Sequence, residues 1–241
     1  MAPIPDHILI KLNEADEIPR KVLDLCCKQL VEPNKKTLTE ISVRIGTIAN
    51  ILRSTLNNMM WDFSKQYIAG NIPDAEFEKL RWSHDYPIEE TEEKFLNSRI
   101  RALRHIEDNY PQIFNFVEST QPYYDFYAIM WTIKLLSNDT THSIPIQIQQ
   151  PNISSIATEF GNPQIFGDKV LLPRADNPPL ILQTPCFIEP LDMFVSKEGK
   201  WILYMIGIDQ NPKQSVTSFI GRAHPVIKGI INNFYNLLDA L

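Results

Sequence analysis

Trp131-Thr132-Ile133-Lys134-Leu135-Leu136-Ser137-Asn138-Asp139-Thr140-Thr141-His142-Ser143-Ile144-Pro145-Ile146-Gln147-Ile148 is the stretch in which the hydrophobic period of this chain changes. Up to Leu136 the apolar side chains Phe126, Ile129, Ile133 and Leu136 recur at helical spacing. Beyond Ser143, Ile144, Ile146 and Ile148 alternate with proline or polar residues, as in a half-buried strand. The change falls at Asn138–Ser143 and predicts an α+β fold. A helical, bundle-like region spans 1–140, and an antiparallel β region with a C-terminal helix spans 141–241. No Pro/Gly/Ser linker separates them, so the helical half is expected to pack on the sheet as one compact unit, closed by the final helix.

Upstream of the junction, residues from Pro5 to about Val31 read as helix, with Asp6 in the first turn and apolar positions at Ile8, Leu12, Ala15, Val22, Leu25 and Cys26. Pro19 lacks an amide hydrogen and predicts one kinked helix or two short ones. Thr37 and Glu40 have capping-box spacing. After them Leu38, Ile41, Ile45, Ile48, Leu52, Leu56, Met59, Phe63 and Tyr67 form one stripe, and Gly70-Asn71 supplies a stop. Shorter helices are expected at Asp74–Trp82, at Thr91–Asp108, from Pro111, and from about Tyr124 to Leu136.

Downstream, Ile165-Phe166, Gly167-Asp168 and Lys169–Leu172 read as a hairpin, followed by strands at Leu180–Gln183 and Phe187–Ile188. Met193–Ser196, a turn at Lys197–Lys200 and Trp201–Ile208 read as a second hairpin. A helix from Pro225 to Leu241 carries Ile227, Ile230, Ile231, Phe234, Leu237 and Leu238 on one stripe, expected to cover a face of the sheet.

The composition narrows the function classes. The 241 residues are 44% hydrophobic and 22% charged, enough for a substantial core, and the net charge is −6. That balance disfavours broad, unspecific binding to a phosphate backbone, which draws on a Lys/Arg excess. Cys26, Cys27 and Cys186 have no disulfide-framework or zinc-ligand spacing, so no metal and no cofactor is expected. The start of the chain has no basic segment followed by an apolar run, and no stretch approaches the apolar length of a membrane span. The expectation is a cytoplasmic protein with no membrane partner.

Chemistry-bearing residues gather on the long helix. Taking 100° per residue from Leu52, the apolar stripe stays within about 40°, whereas Gly46, Asn50, Arg53 and Asn57 fall roughly 100–160° away. Asn50, Asn57, Asn58 and Trp61 are therefore a candidate polar interface, and Arg53 is the one cation among them. The one basic concentration in the sequence, Arg99, Arg101, Arg104 and His105, is a candidate phosphate-binding patch; Glu92, Glu93, Glu107 and Asp108 beside it favour a salt-bridged solvated face.

Four short blocks carry a resemblance: Leu52-Arg53-Ser54-Thr55-Leu56-Asn57-Asn58-Met59, then Tyr86-Pro87-Ile88, then Gln121-Pro122-Tyr123, then Trp131 through Asn138 with His142. In this order, over roughly Gly46 to Ser143, they resemble a family of uncharacterised bacterial proteins. That family reads Leu-Arg-Ser-Ala-Leu-Asp-His-Leu, Phe-Pro-Ile, Gln-Pro-Tyr and Leu-x-Asn-x-Asp-Lys-His-Arg. The arginine–histidine spacing of the first block is similar to that of HEPN-type helical modules of bacterial defence and toxin systems, many of which cleave RNA across a dimer interface. The resemblance implies a phosphate-stabilising role for Arg53 and a proton-transfer role for an imidazole. Asn58 stands where that family has histidine, and an amide cannot move a proton near neutral pH. Thr140, Thr141 and Ser143 replace the charged residues of the last block, leaving His142 as the imidazole the pattern offers. The resulting expectation is a non-catalytic interaction or structural protein that self-associates through its helices. The alternative is a HEPN-like RNA-binding protein or weak metal-independent ribonuclease using Arg53 and His142.

Overall fold

The structure is a computed structural model that describes residues 3–80, 85–97, 101–141, 147–149, 164–166, 169–172, 180–183, 186–188, 193–195, 201–202, 204–208 and 211–241. It is α+β: helices through the first part of the chain, antiparallel strands after them, and a closing helix. Two compact units emerge, one from 1–17, 47–143 and 221–241, the other from 18–46 and 144–220. This differs from a division at 140/141, because each of the three longest helices contributes to both units.

Helix α1 (Asp6–Val31) runs through Pro19 as one helix. Its buried positions Ile8, Leu12, Ala15, Ile18, Val22, Cys26 and Leu30 keep steps of three and four across the proline, so burial of a continuous stripe outweighs the lost hydrogen bond. Helix α2 (Lys35–Phe63) starts earlier than the Thr37 box implies. Asn34 Oδ1 accepts from Lys36 N at 2.8 Å, and Thr37 is buried. After Phe63 the helix passes into a π turn (Ser64–Ile68) and a 3-10 turn (Ala69–Asn71). There the Tyr67 carbonyl accepts from Tyr110 Oη (2.7 Å) and Asn71 Nδ2 (2.8 Å).

The first unit then adds α3 (Asp74–Leu80), α4 (Glu92–Leu96), α5 (Arg101–Asn109), α6 (Pro111–Ser119) and α7 (Ile129–Thr141). Thr91 caps α4, receiving Lys94 N at 3.2 Å, and Pro111 opens α6. The expected helix from Tyr124 is instead a 3-10 turn at Asp125–Tyr127 followed by α7. Leu52, Leu56, Met59 and Phe63 of α2 lie in the core with Ile113, Val117, Ile133 and Leu136.

In the second unit the strands form three small antiparallel sheets rather than one. The strands β1 (Gln147–Gln149), β8 (Met205–Ile208) and β9 (Asn211–Ser215) make one sheet. A second joins β2 (Gln164–Phe166), β3 (Lys169–Leu172) and β4 (Leu180–Gln183). The third joins β5 (Cys186–Ile188), β6 (Met193–Val195) and β7 (Trp201–Ile202). The first predicted hairpin is present, with Phe166 opposite Lys169. In the second, Val195 pairs with Trp201, but the return run divides: β8 leaves to pair with β1 and β9. The buried Tyr204 at that division donates to the Cys26 carbonyl (3.3 Å), and its own carbonyl accepts from Val216 N (2.8 Å).

Helix α8 (Val216–Leu238) begins nine residues before Pro225, with Ser215 Oγ accepting from Ser218 N at 3.0 Å. Phe234, near its end, meets Phe63 edge-on (5.8 Å between centroids) and Phe116 (6.0 Å), so these ring contacts are to helices rather than to a sheet. Among the described residues no helix is long and apolar enough to cross a membrane.

Candidate functional site

The polar side of α2 borders a cleft of about 350 Å³ within the first unit. Asn50, Arg53, Ser54, Asn57 and Asn58 line it from α2, and Ser137 and Asn138 from the end of α7. The helical spacing that separates these residues from the Leu52 stripe therefore brings four of the sequence-derived candidates, Asn50, Arg53, Asn57 and Asn58, to one place.

Their partners differ. Asn57 is committed to residues 85 and 86: its Oδ1 accepts from Tyr86 N at 2.9 Å and its Nδ2 donates to the Asp85 carboxylate Oδ1 at 2.7 Å. Lys11, from α1, donates to Ser54 Oγ; with the Asn58 amide turned to satisfy both its atoms, its oxygen lies 3.0 Å from Lys11 Nζ and its nitrogen donates to the Ser54 carbonyl at 3.2 Å. Arg53 is different. Its Nη1 is buried and has no hydrogen-bond partner among the described residues. Burial pushes the guanidinium below its ordinary pKa, and the carboxylates of Asp85 and Glu89 act in the opposite direction. Arginine remains a cation under any physiological condition, so a residue lining the cleft carries a buried donor that no described residue matches.

The segment beside Asn57 is held from three further directions. Gln121, fully buried, donates from Nε2 to the Pro87 and Val117 carbonyls (3.0 and 2.9 Å) and accepts from Glu89 N at 2.9 Å. Tyr86 Oη and Thr120 Oγ1 share a hydrogen bond. Lys134 Nζ donates to the Ile88 carbonyl and lies 3.3 Å from Glu89 Oε2. Residues of the first, third and fourth sequence blocks, Asn57, Gln121 and Lys134, thus meet on 85–89, which contains the second. At the cleft Arg53 is joined by Lys11, on Ser54, while Asp85 and Glu89 act on Arg53 and Lys134 pairs with Glu89.

The remaining candidates lie elsewhere or outside the description. Trp61 is not at the cleft; it stacks on Phe77 (5.4 Å, 18°) with Lys65 over its ring. His142 and Arg99 lie outside the described residues, and Arg101 is described only through its backbone at the start of α5. Arg104 is exposed on α5. Sequence reading missed Lys11, Ser137, Asn138, Asp85 and Glu89 as neighbours of Arg53. Ser137-Asn138 was visible as part of a block, whereas nothing in the period of α1 distinguishes Lys11. One turn back from Lys11, His7 Nε2 lies 2.9 Å from Asp62 Oδ2, and Lys65 Nζ lies 2.8 Å from Asp62 Oδ1; this imidazole does not line the cleft.

The arrangement can orient an anion through a guanidinium, amides and hydroxyls. Among the described residues its lining includes no imidazole, thiol or carboxyl group. Among the described residues no cluster of histidine, cysteine and acidic side chains could hold a metal ion. No known protein family, curated protein or solved structure matches the chain.

Proposed function

We propose that this protein works by binding rather than by turnover, holding an anionic group of its partner in the Arg53 cleft. The observation that carries the reading is Arg53, which lines a polar cleft and whose buried Nη1 has no partner among the described residues. A buried guanidinium donor left unmatched is costly, and a phosphate or carboxylate oxygen satisfies it with a strong charge-assisted bond. Asn58 occupies the place where the resembled family has its proton-transferring histidine, so binding is retained in this reading and cleavage is not. Self-association through the helices is the second part of the proposal. It rests on Leu9 and Ile10, 39% and 65% exposed on α1, which a second copy would cover.

The RNA-directed reading is favoured by the two cations at the cleft, Arg53 and Lys11, and by the way the other three blocks of the HEPN-like resemblance meet on the second, within 85–89. Labelled single-stranded RNA incubated with the protein is expected to be retained at low salt and recovered at full length. Recovery of cut RNA from the wild type but not from Arg53→Ala would replace binding by catalysis. Absence of retention would remove RNA as the partner. Light scattering after size exclusion tests the second part: a dimer is expected, and a monomer at high concentration contradicts it.

A further inference from the structure

Away from the cleft, the chain between α6 and α7 carries an unusual concentration of aromatic surface. Tyr124 and Phe126 are 44% and 65% exposed, and the exposed Asp125 lies between them. The phenols of Tyr123 and Tyr124 both donate to Glu118 Oε1, at 2.9 and 2.8 Å. The rings of Tyr123 and Tyr124 lie 4.9 Å apart at 43°, and those of Phe126 and Tyr127 lie 5.0 Å apart at 85°. Burial and then Glu118 raise the Tyr123 pKa, the Glu118 bond and then burial raise that of Tyr124, and the charge of Glu92 adds to both. Four aromatic residues in sequence are therefore bordered by the carboxylates of Glu92, Glu118 and Asp125. The nearby Lys94 is occupied by Glu90 at 2.7 Å.

We propose that this surface docks a cationic segment of a partner protein, an arginine- or lysine-bearing peptide. Three features argue for that occupant. Ring faces attract guanidinium and ammonium groups, and the bordering carboxylates supply the complementary charge. The two tyrosines are tied to one carboxylate, so their rings are set before binding and lose little freedom when a ligand stacks on them. Tyr124, Asp125 and Phe126 are consecutive, so both ring and carboxylate lie within about 7 Å of chain, the reach of one or two ligand residues. The same negative border repels a phosphate backbone, which separates this surface from the anion cleft.

The test is fluorescence anisotropy of a labelled arginine–glycine octapeptide, with a glutamate–glycine octapeptide as control, on the full chain. Saturable binding of the arginine peptide alone is expected. Phe126→Ala and Tyr124→Ala should each weaken it roughly two- to fivefold, as loss of a cation–π contact at an exposed ring implies. Glu118→Gln should weaken it as well, whereas Glu14→Gln, which alters an exposed carboxylate on α1, should leave it unchanged. Circular dichroism melts of each variant establish that the fold is retained. Equal weakening by Glu118→Gln and Glu14→Gln, with full binding by Phe126→Ala, would reduce the effect to net charge and overturn the proposal. Failure of the peptide to bind, with loss of self-association in Phe126→Ala, would overturn it in favour of a contact between two copies of this chain.

Discussion

The backbone amide of Tyr86 donates to Asn57 Oδ1 at 2.9 Å, across 29 residues of sequence, and the same side chain reaches Asp85 from its nitrogen. Asn57 thus spends both halves of its amide in fixing the segment that brings Asp85 and Glu89 into electrostatic range of Arg53. The residue predicted as part of a polar interface is first of all a clamp.

Replacing Asn57 by alanine removes both bonds and leaves the part-buried Tyr86 amide without its acceptor. A destabilisation of about 1–2 kcal/mol is expected in urea unfolding. Asn57→Asp keeps the acceptor but sets a second carboxylate beside Asp85, and should be at least as harmful. An unchanged midpoint in Asn57→Ala would show that the clamp does not hold segment 85–89.

Gln121 should be the more sensitive position. Its three hydrogen bonds are made at zero exposure, and truncation to alanine strands the Glu89 amide and leaves a cavity. About 2–4 kcal/mol of lost stability is expected, measured in the same way. A cost below that of Asn57→Ala would contradict the burial argument.

His224 makes stability depend on pH. It is 9% exposed, and its Nδ1 lies 3.2 Å from Asp16 Oδ1. Burial pushes its pKa below the ordinary histidine value, Lys228 acts in the same direction, and Asp16 and a backbone bond to Leu12 oppose them. The folded state therefore binds the proton less readily than the unfolded chain. The contribution is complete above the unfolded value of about 6.5 and is lost as pH falls below it towards the folded value. Denaturation midpoints of the wild type should drop between pH 7 and pH 5 more steeply than those of His224→Gln. Parallel curves would show that His224 contributes nothing to the pH dependence.

The helical elements were legible because burial imposes a period on them. The stripe from Ile41 to Phe63 is present in α2, and the steps from Ile8 to Leu30 carry α1 through Pro19 despite the local signal to break. The start of α2 was misplaced because Thr37 had the right spacing for a cap, but Asn34 reaches the free amides first. The strands up to β6 were legible singly, β7 and β8 were read as one run, β9 was not read, and the partition into sheets was not legible. Pairing depends on partners far along the chain, as when β8 pairs with β1 across Gln149 and Met205. At the site, periodicity alone grouped Asn50, Arg53, Asn57 and Asn58, since one helix face carries them. Lys11 and Asn138 come from other helices, and a single sequence holds no sign of that contact.

The central claim is that Arg53 holds an anion, and side-chain NMR tests it directly. In a titration of the isotope-labelled protein with inorganic phosphate, the Arg53 guanidinium resonance and the Asn50 and Asn138 side-chain amides should shift together and saturably. The amide shifts should vanish in Arg53→Ala. Resonances that stay in place, or amide shifts that persist without Arg53, would contradict the account.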